Sequence, residues 1–319
     1  MPLPVTVYRW DDAGAPSIAG RKPSDIISIL KACLVDGYGD KQPLGWTIPY
    51  SDDVAVKAVF KNNTSDGGSG GYVQFSLDTS DTAGLKLRYQ HAPAMTGLDD
   101  FSKSFNYNGL RATTGNDRWA VIGTSRAFYF IISRSDRPNC SLGVGEGATV
   151  HIGDIEPLIP TDQYIFSASY YSSSNDMSVN WSTSMNYTSD NKYYSRFNDL
   201  DGVNACNYAM KLPFTYVNQS GAALEGGEPV NPNILAPVAL FVAGASSTTK
   251  DGYGVILRLS TTRPTCRGMV AGLRNLLFGG FADTPWPHII TVDGRDYWLV
   301  HQGHAGGCNL AIDLGDWYE

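Results

Sequence analysis

The chain has little charge and no long apolar run, and each shortage excludes a class of partner. Charged residues make up 17% of its 319 residues and the net charge is −7. No run of lysine or arginine provides the basic surface that a nucleic-acid-binding protein needs. No apolar stretch approaches the roughly 20 residues that cross a membrane as a helix. The sequence therefore predicts neither a nucleic-acid partner nor a membrane partner.

Cysteine is also scarce, and its five copies are widely scattered without a close pair. This spacing is typical of reduced, buried thiols rather than of a disulfide framework or a zinc site. The N-terminus, Met1–Val5, lacks the charged and then apolar layout of a secretory signal peptide. We therefore expect the protein to be made and folded in a cytoplasm. The five cysteines are Cys33, Cys140, Cys206, Cys266 and Cys308.

No arrangement of residues in the sequence predicts a reaction centre, a metal site or a cofactor site. His288, His301 and His304 lie close in sequence, but no cysteine or carboxylate stands at a recognised metal-site spacing from them. The acidic loop 198–202 lacks the glutamate that completes an EF-hand loop. The glycine-rich segment 143–147 lacks both the spacing and the Lys-Ser/Thr ending of a phosphate-binding loop. We expect no enzymatic activity and no cofactor.

What the sequence does contain is glycine, proline and tyrosine, with one helical segment. The 34 Gly, 17 Pro and 18 Tyr favour strands joined by turns. Helical periodicity is confined to Ser24–Val35, where Ser24 or Asp25 can cap the start and Gly37 can end the helix. We predict a mainly β protein (α+β minor), with antiparallel sheets in a β-sandwich-like arrangement and one buried N-terminal helix. The apolar face of that helix holds Ile26, Ile27, Ile29, Leu30, Cys33 and Leu34.

Beyond the helix, alternating apolar residues predict strands and two hairpins. The hairpin turns are predicted at 123–125 and at Asp293-Gly294, a dipeptide that readily adopts the primed turns. Residues 266–277 could form a short helix or an irregular connection. Strands are predicted at Val54–Phe60, Tyr72–Leu77, Leu85–Gln90, Trp119–Ile122, Arg126–Ser133, Val238–Val242, Gly254–Leu259, Ile289–Val292, Arg295–His301 and Asn309–Leu314.

Composition divides the chain into three predicted parts. These are an N-terminal arm (1–22), a main β-rich domain (23–225) and a C-terminal β subdomain (226–319) packed on the first. The boundary follows from the glycines and prolines of 225–232, which interrupt any regular element. Within the main domain, the Ser/Tyr/Asn-rich segment 167–207 is predicted to be a solvent-facing excursion with short edge strands, or a contact surface.

The arm and the aromatic middle segment are the candidate contact surfaces. The arm is rich in proline and poor in charge, so it could lie along a neighbouring subunit. The tyrosines of the middle segment suit a protein–protein interface, a carbohydrate-stacking platform or simple packing along edge strands. The candidate interface residues are Pro4, Tyr8, Trp10, Pro16, Tyr170, Tyr171, Trp181, Tyr193 and Tyr194.

A set of short motifs, here called the landmark residues, is spread over nearly the whole chain. They are Asp12–Pro16, Ile27, Leu30, Cys33–Val35, Gly37–Gly39, Lys41, Gly45-Trp46, Leu87–Tyr89, Met95, Arg126, Phe128–Phe130, Gly153–Ile155, Asp162, Tyr164, Arg267-Gly268, Gly272-Leu273, Asp293–Arg295 and Tyr297. This pattern resembles virion proteins of tailed bacteriophages that are encoded among the tail genes and associated with the tail or the neck.

The resemblance implies a structural subunit of the virion, in the tail, the neck or collar, or the baseplate. Such a subunit is present in several copies and acts by assembling with other virion proteins, after synthesis in the cytoplasm of the host bacterium. It carries no catalytic residues. One alternative is a host-receptor or glycan-binding protein at the tail tip. Another is a polysaccharide-degrading hydrolase, which would need two carboxylates converging in a cleft.

Overall fold

The computed structural model describes residues 2–18, 20–80, 84–105, 107–112, 115–136, 140, 147–171, 193–213, 234–242, 262–276, 281, 284–300 and 310–318. These residues form a mainly β protein with several antiparallel sheets and one short N-terminal helix, as predicted. The helix is α1 (Pro23–Lys31), which continues as a π-helical turn (Ala32–Asp36).

The strands are β1 (Leu3–Pro4), β2 (Thr6–Arg9), β3 (Thr47–Asp52), β4 (Lys57–Lys61), β5 (Tyr72–Leu77), β6 (Lys86–Ala92), β7 (Ala94–Gly97), β8 (Asp100–Ser102), β9 (Asn108–Arg111), β10 (Asn116–Gly123) and β11 (Ala127–Arg134). They continue with β12 (Ala148–Asp154), β13 (Glu156–Pro157), β14 (Phe166–Tyr171), β15 (Tyr193–Asn198), β16 (Ala205–Lys211), β17 (Leu235–Val242), β18 (Cys266–Leu276), β19 (Ile289–Val292), β20 (Arg295–Leu299), β21 (Leu310–Asp313) and β22 (Asp316–Trp317).

The largest sheet has 13 strands and contains both predicted hairpins, β10–β11 and β19–β20. Its order is β19-β20-β21-β18-β17-β16-β15-β14-β12-β11-β10-β2, with β13 paired to β18. The sheet curls so that β18 lies over β11, where the Tyr129 hydroxyl donates to the Ala271 carbonyl at 2.6 Å. It also continues past the boundary predicted near residue 225, because β16 pairs with β17.

Curling produces a core inside the large sheet, here called the inner core. Inward-facing side chains of β11 meet those of β16 to β21 there, and the C-terminal strand β22 closes one end. The Trp317 ring, for example, packs edge-on against the Tyr129 ring at a centroid distance of 5.5 Å. The inner core includes Tyr129, Ile131, Phe197, Tyr208, Leu240, Val270, Leu273, Trp298 and Trp317.

A second core, here called the helix-side core, lies on the other face of β10, β11 and β12. It is filled by α1 and by a five-stranded sheet of order β3-β4-β5-β6-β9. The β7–β8 hairpin covers the outer face of that smaller sheet at Val59, Ala92 and Met95. The layers are therefore sandwich-like, as predicted. The helix-side core includes Ile26, Ile29, Leu30, Phe60, Phe75, Phe128, Phe130, Val150 and Ile152.

The predicted helix is confirmed, with its start slightly earlier than the capping residues suggest. It begins at Pro23, a residue whose fixed φ suits the first helical turn. The Asp25 carboxylate accepts a hydrogen bond from the Lys22 backbone N–H at 3.2 Å. Gly37 ends the segment with φ +78° and ψ 170°, a backbone conformation that glycine adopts readily. All six residues predicted for its apolar face are buried. No helix in the described ranges is long and apolar enough to span a membrane.

The strand predicted at Val54–Phe60 is wrong in its first half. Residues 53–56 form a turn that joins β3 to β4, and Val54 is 97% exposed. The Asp52 carboxylate stabilises this turn by accepting the Ala55 N–H at 2.9 Å. The hydrogen bond of this turn therefore decides the local structure, although Val54 and Val56 alternate as they would in a strand.

The helix or irregular connection expected at 266–277 is also wrong, because β18 is an 11-residue strand. It pairs with β17 on one side and β21 on the other. Most of its residues are buried on both faces, so the sequence lacks the alternation that marks a half-exposed strand.

The middle segment is not an excursion with edge strands where the structure describes it. Strand β14 pairs with β12 and β15, and β15 pairs with β16, so both are internal strands of the large sheet. Serine and tyrosine suit such positions because both can be buried in a pleated sheet. The remainder, 172–192, lies outside the described residues, as do the strand predicted at Gly254–Leu259 and all of 225–232.

Candidate functional site

The N-terminal segment predicted as an arm is built into the chain's own sheets. Strand β1 pairs with β22, and β2 pairs with β10. Tyr8, predicted as an interface residue, is fully buried, and its hydroxyl donates to the Gln42 carbonyl. Its side chain is therefore not exposed for contact with a neighbouring molecule. Pro4 is exposed, whereas Pro16 is half-buried and its carbonyl accepts the Trp119 indole N–H at 2.9 Å.

The outer edge of β2 is covered by side chains of this chain. The Lys41 ammonium donates to the Val7 carbonyl at 3.0 Å and lies 3.7 Å from the Asp12 carboxylate. A charged side chain on a strand edge opposes pairing with a strand of another molecule. Any contact that the N-terminal segment makes with a neighbour would therefore be through side chains.

Trp10 is the predicted interface residue in this segment that combines partial exposure with a large aromatic ring. It stacks on Trp286 at a centroid distance of 5.5 Å. The guanidinium groups of Arg9 and Arg118 lie 5.1 and 5.2 Å from its ring centroid. These contacts hold the indole in place at the surface.

The strand register brings the predicted tyrosines of the middle segment together. Tyr170 pairs with Tyr194 and Tyr171 with Tyr193 across β14 and β15. Trp181 lies outside the described residues. The backbone thus concentrates four of the predicted aromatic residues at one end of two adjacent strands.

Landmark residues of the N-terminal motif contact one another across the fold. The Tyr38 hydroxyl donates to the Asp12 carboxylate at 2.8 Å. Burial, assisted by this carboxylate, raises the pKa of Tyr38 far above its ordinary value. The backbones of 13–14 and Gly39 pack so closely that a Cβ at Gly39 would lie 2.3 Å from the Ala13 carbonyl oxygen.

A second landmark pair, Arg126 and Asp154, joins β11 to β12. Asp154 is buried, and burial raises the pKa of its carboxyl against the lowering effect of its hydrogen bonds. The Ser69 N–H donates to this carboxylate at 2.8 Å and the Arg126 Nε at 3.4 Å. The Arg126 guanidinium also lies 3.9 Å from the ring centroid of Tyr318.

A third landmark pair, Asp162 and Arg267, is an ion pair whose side chains are both fully buried. The Arg267 Nη2 donates to the Asp162 carboxylate at 2.8 Å and to the Tyr164 carbonyl at 3.2 Å. The guanidinium also faces the rings of Phe197 and Tyr208 in the inner core. This pair fastens the loop before β14 to β18.

The same loops border an open cleft with a volume of about 600 Å³. Loop 62–71, the β7–β8 hairpin and loop 157–165 form its walls. Lys103 sits at its rim with φ +57°, a conformation that non-glycine residues rarely adopt. Its ammonium donates to the Tyr164 hydroxyl at 3.2 Å. The cleft is lined by Gly67, Ser69, Pro93, Ala94, Ser102, Lys103, Arg126, Pro157, Pro160, Asp162, Gln163, Tyr164 and Ile165.

The carboxylates in and beside this cleft already have partners within the chain. Asp162 is held by Arg267, and Asp154 by Ser69 and Arg126. Asp99 pairs with Lys57, whose hydrogen bond lowers the pKa of that carboxyl. Among the described contacts, the Lys103 ammonium meets a hydroxyl and an aromatic ring but no carboxylate. No ion pair of the described residues therefore involves the Lys103 ammonium.

The cleft could not be predicted from the sequence because its lining comes from four separate segments: loop 62–71, the β7–β8 hairpin with Pro93 before it, the β10–β11 turn and loop 157–165. Arg126, Asp162 and Tyr164 were singled out as landmark residues, which was the available signal. Lys103 belongs to no motif, and its position at the rim depends on the β7–β8 hairpin.

The weaker sequence candidates have structural roles where they are described. In the acidic loop, the Asp199 carboxylate accepts the N–H groups of Val203 and Asn204 at 2.8 and 2.9 Å. Burial opposes these bonds, but together they lower the pKa of Asp199 to about 2. Across the described ranges, no group of three His, Cys, Asp or Glu residues could hold a metal ion.

The remaining candidates from the sequence are the histidines, the glycine-rich segment and the cysteines. His288 packs against the Phe281 ring at 6.0 Å, whereas His301, His304 and most of 143–147 lie outside the described residues. The four described cysteines are free thiols and mostly buried, as predicted: Cys33, Cys140, Cys206 and Cys266.

Neither protein-family models nor curated proteins match this chain.

Proposed function

We propose that this chain is a structural subunit of a tailed-phage virion that acts by assembling with other virion proteins. The observation that supports this most is the contact between landmark residues far apart in sequence, such as Asp162 with Arg267. Contacts between such motifs are expected if the motifs preserve a common fold, and the Tyr38–Asp12 hydrogen bond is a second example.

Two exposed apolar side chains beside the cleft supply a contact surface for assembly. Leu158 is 54% exposed and Val203 is 74% exposed. Both lie on loops bonded to β18 or to the residues just before it: the Leu158 N–H donates to the Arg267 carbonyl of β18 at 3.1 Å, and the Leu200 N–H to the Thr262 carbonyl at 2.9 Å. We propose these two side chains as the apolar part of the contact.

The experiment that tests the proposal is to locate the chain in purified particles by electron cryo-microscopy with symmetry analysis. Regular copies around the tail, neck or baseplate are the expected result. Absence of the chain from particles would contradict the proposal.

A double variant, Leu158→Asp with Val203→Asp, tests the contact surface. Charges on these side chains should lower incorporation into particles while the melting temperature of the purified chain stays the same, because both residues are already exposed. Val54→Asp is the matched control, since Val54 is 97% exposed on the β3–β4 turn. Normal incorporation of the double variant would contradict a role for this surface.

The second candidate function is receptor or glycan binding at the tail tip. The observation in its favour is the register that aligns Tyr170 with Tyr194 and Tyr171 with Tyr193. Alanine at these four positions should then abolish adsorption to cells while particles still assemble. Particles that fail to assemble would instead favour a role inside the virion.

A further inference from the structure

We propose that the cleft beside Lys103 binds an acidic saccharide, with the sugar carboxylate at the Lys103 ammonium. This site is independent of the assembly role and of the tyrosines at 170–194. Its volume, about 600 Å³, lies within the range of small-ligand sites.

The charge at the rim favours an anion. Lys103 is exposed, and its described contacts are the Tyr164 hydroxyl at 3.2 Å and the Tyr164 ring at 5.1 Å. The nearest acidic groups of its own hairpin have other partners, since Asp99 pairs with Lys57 and Asp100 accepts from Thr96. A ligand carboxylate would therefore meet an ammonium that does not have to give up an ion pair first.

The backbone of Lys103 has a strained conformation. A non-glycine residue at φ +57° is strained, and such residues are concentrated where a side chain must be aimed. Gly202 permits the close approach of the neighbouring loop, because a Cβ there would lie 2.2 Å from the Tyr164 hydroxyl and 2.5 Å from the Lys103 ammonium. Two backbone features thus converge on the Lys103–Tyr164 contact.

The rest of the lining favours a sugar over a simple anion. The half-buried Tyr164 provides an aromatic ring on which the apolar face of a sugar can pack. The exposed side chains of Ser102 and Gln163 provide a hydroxyl and an amide that can bond sugar hydroxyls. Arg126 supplies a second cation, a guanidinium, at the cleft wall, where its charge is shared with Asp154.

Calorimetric titration of the full chain with glucuronate, glucose and an acidic dipeptide tests the proposal. We expect glucuronate to bind with a dissociation constant in the range of about 1 mM and glucose at least about tenfold more weakly. Lys103→Gln should weaken glucuronate binding by about tenfold or more, and Lys103→Arg should restore most of it. Lys211→Gln, at an exposed lysine of β16 that does not line the cleft, is the matched control.

A second variant tests the location without changing charge. Ser102→Trp places a large side chain on an exposed lining position and should abolish glucuronate binding while the melting temperature is retained. The proposal is overturned if wild-type chain does not bind glucuronate, if Lys103→Gln binds it unchanged, or if glucose binds equally well. Tighter binding of the dipeptide than of glucuronate would also overturn it, in favour of a peptide ligand.

Discussion

The two faces of strands β11 and β12 differ in kind although both are buried. On the helix-side face, Phe128, Phe130, Val150 and Ile152 form an apolar layer. On the inner face, Tyr129 stands beside His151, with ring centroids 5.1 Å apart. One pair of strands therefore carries an ordinary apolar core on one side and a polar interior on the other.

The polar interior extends over the next strands of the large sheet. The imidazole nitrogens of His151 and the hydroxyls of Ser133, Ser167 and Ser195 are buried and have no hydrogen-bond partner among the described residues. Burial lowers the pKa of His151 to about 3, so this imidazole is neutral in the folded protein over most of the pH range. Burial alone therefore does not make the two cores equivalent, because the inner one holds several buried polar side chains whose hydrogen-bonding groups have no partner among the described residues.

The largest expected effect comes from the buried ion pair that borders the inner core. Arg267→Ala should lower the free energy of unfolding by about 3–5 kcal/mol, because it leaves the Asp162 carboxylate buried without its cation. Denaturant unfolding measures this. The double variant Arg267→Met with Asp162→Leu is the control and should lose much less, because neither charge remains. A single variant as stable as wild type would show that the pair contributes little.

The next effect is a dependence of the free energy of unfolding on pH, and it compares His151 on the inner face with Ile152 on the helix-side face. An unfolded histidine binds a proton below about pH 6.5, whereas folded His151 does so only near its pKa of about 3. The unfolded state therefore binds more protons in this window, so stability falls as pH falls, by about 1.4 kcal/mol per pH unit. His91, whose pKa burial lowers to about 4, adds to the same loss.

Unfolding measurements between about pH 6.5 and 4 test this difference. His151→Leu should reduce the slope of stability against pH. Ile152→Val, at the next residue but on the helix-side face, should cost about 0.5–1.5 kcal/mol at every pH and leave the slope unchanged. Equal slopes in wild type and His151→Leu would contradict the expected titration.

The smallest effect compares two serines of β14 on the inner face. Ser169→Ala should cost about 1 kcal/mol, because the Ser169 hydroxyl accepts the His151 backbone N–H at 2.9 Å. Ser167→Ala should be neutral or slightly stabilising, since the Ser167 hydroxyl is buried without a partner among the described residues. Thermal unfolding of both variants checks the difference, and equal losses would remove the distinction between the two hydroxyls.

Local signals in the sequence were sufficient to predict the helix and the two hairpins. The apolar residues of 24–35 recur at helical spacing, and Gly37 stands where a positive φ is needed. Asp293-Gly294 is a turn dipeptide between two alternating segments, and the structure has β19 and β20 on either side of it. Each of these elements is specified by neighbours in sequence, which is why it could be predicted.

Strands that are buried on both faces were the elements that the sequence predicted least well. β18 was expected as a helix or an irregular connection, and β14 and β15 as edge strands. A strand covered on both sides has no need to alternate, so periodicity gives no signal for it. Serines such as Ser167 and Ser195 look like surface residues in sequence, yet the curled sheet buries them.

By itself, the sequence determined the class of fold, the position of the single helix, the two hairpins and the motifs that suggest a virion protein. Tertiary structure alone decided that the large sheet curls over itself, that Asp162 meets Arg267, and that Lys103 stands at the rim of a cleft. The physical reason is the separation in sequence over which each kind of interaction acts. Turns, caps and periodicity act between residues a few positions apart, whereas a core, a buried ion pair or a cleft joins segments whose proximity depends on how all the layers pack.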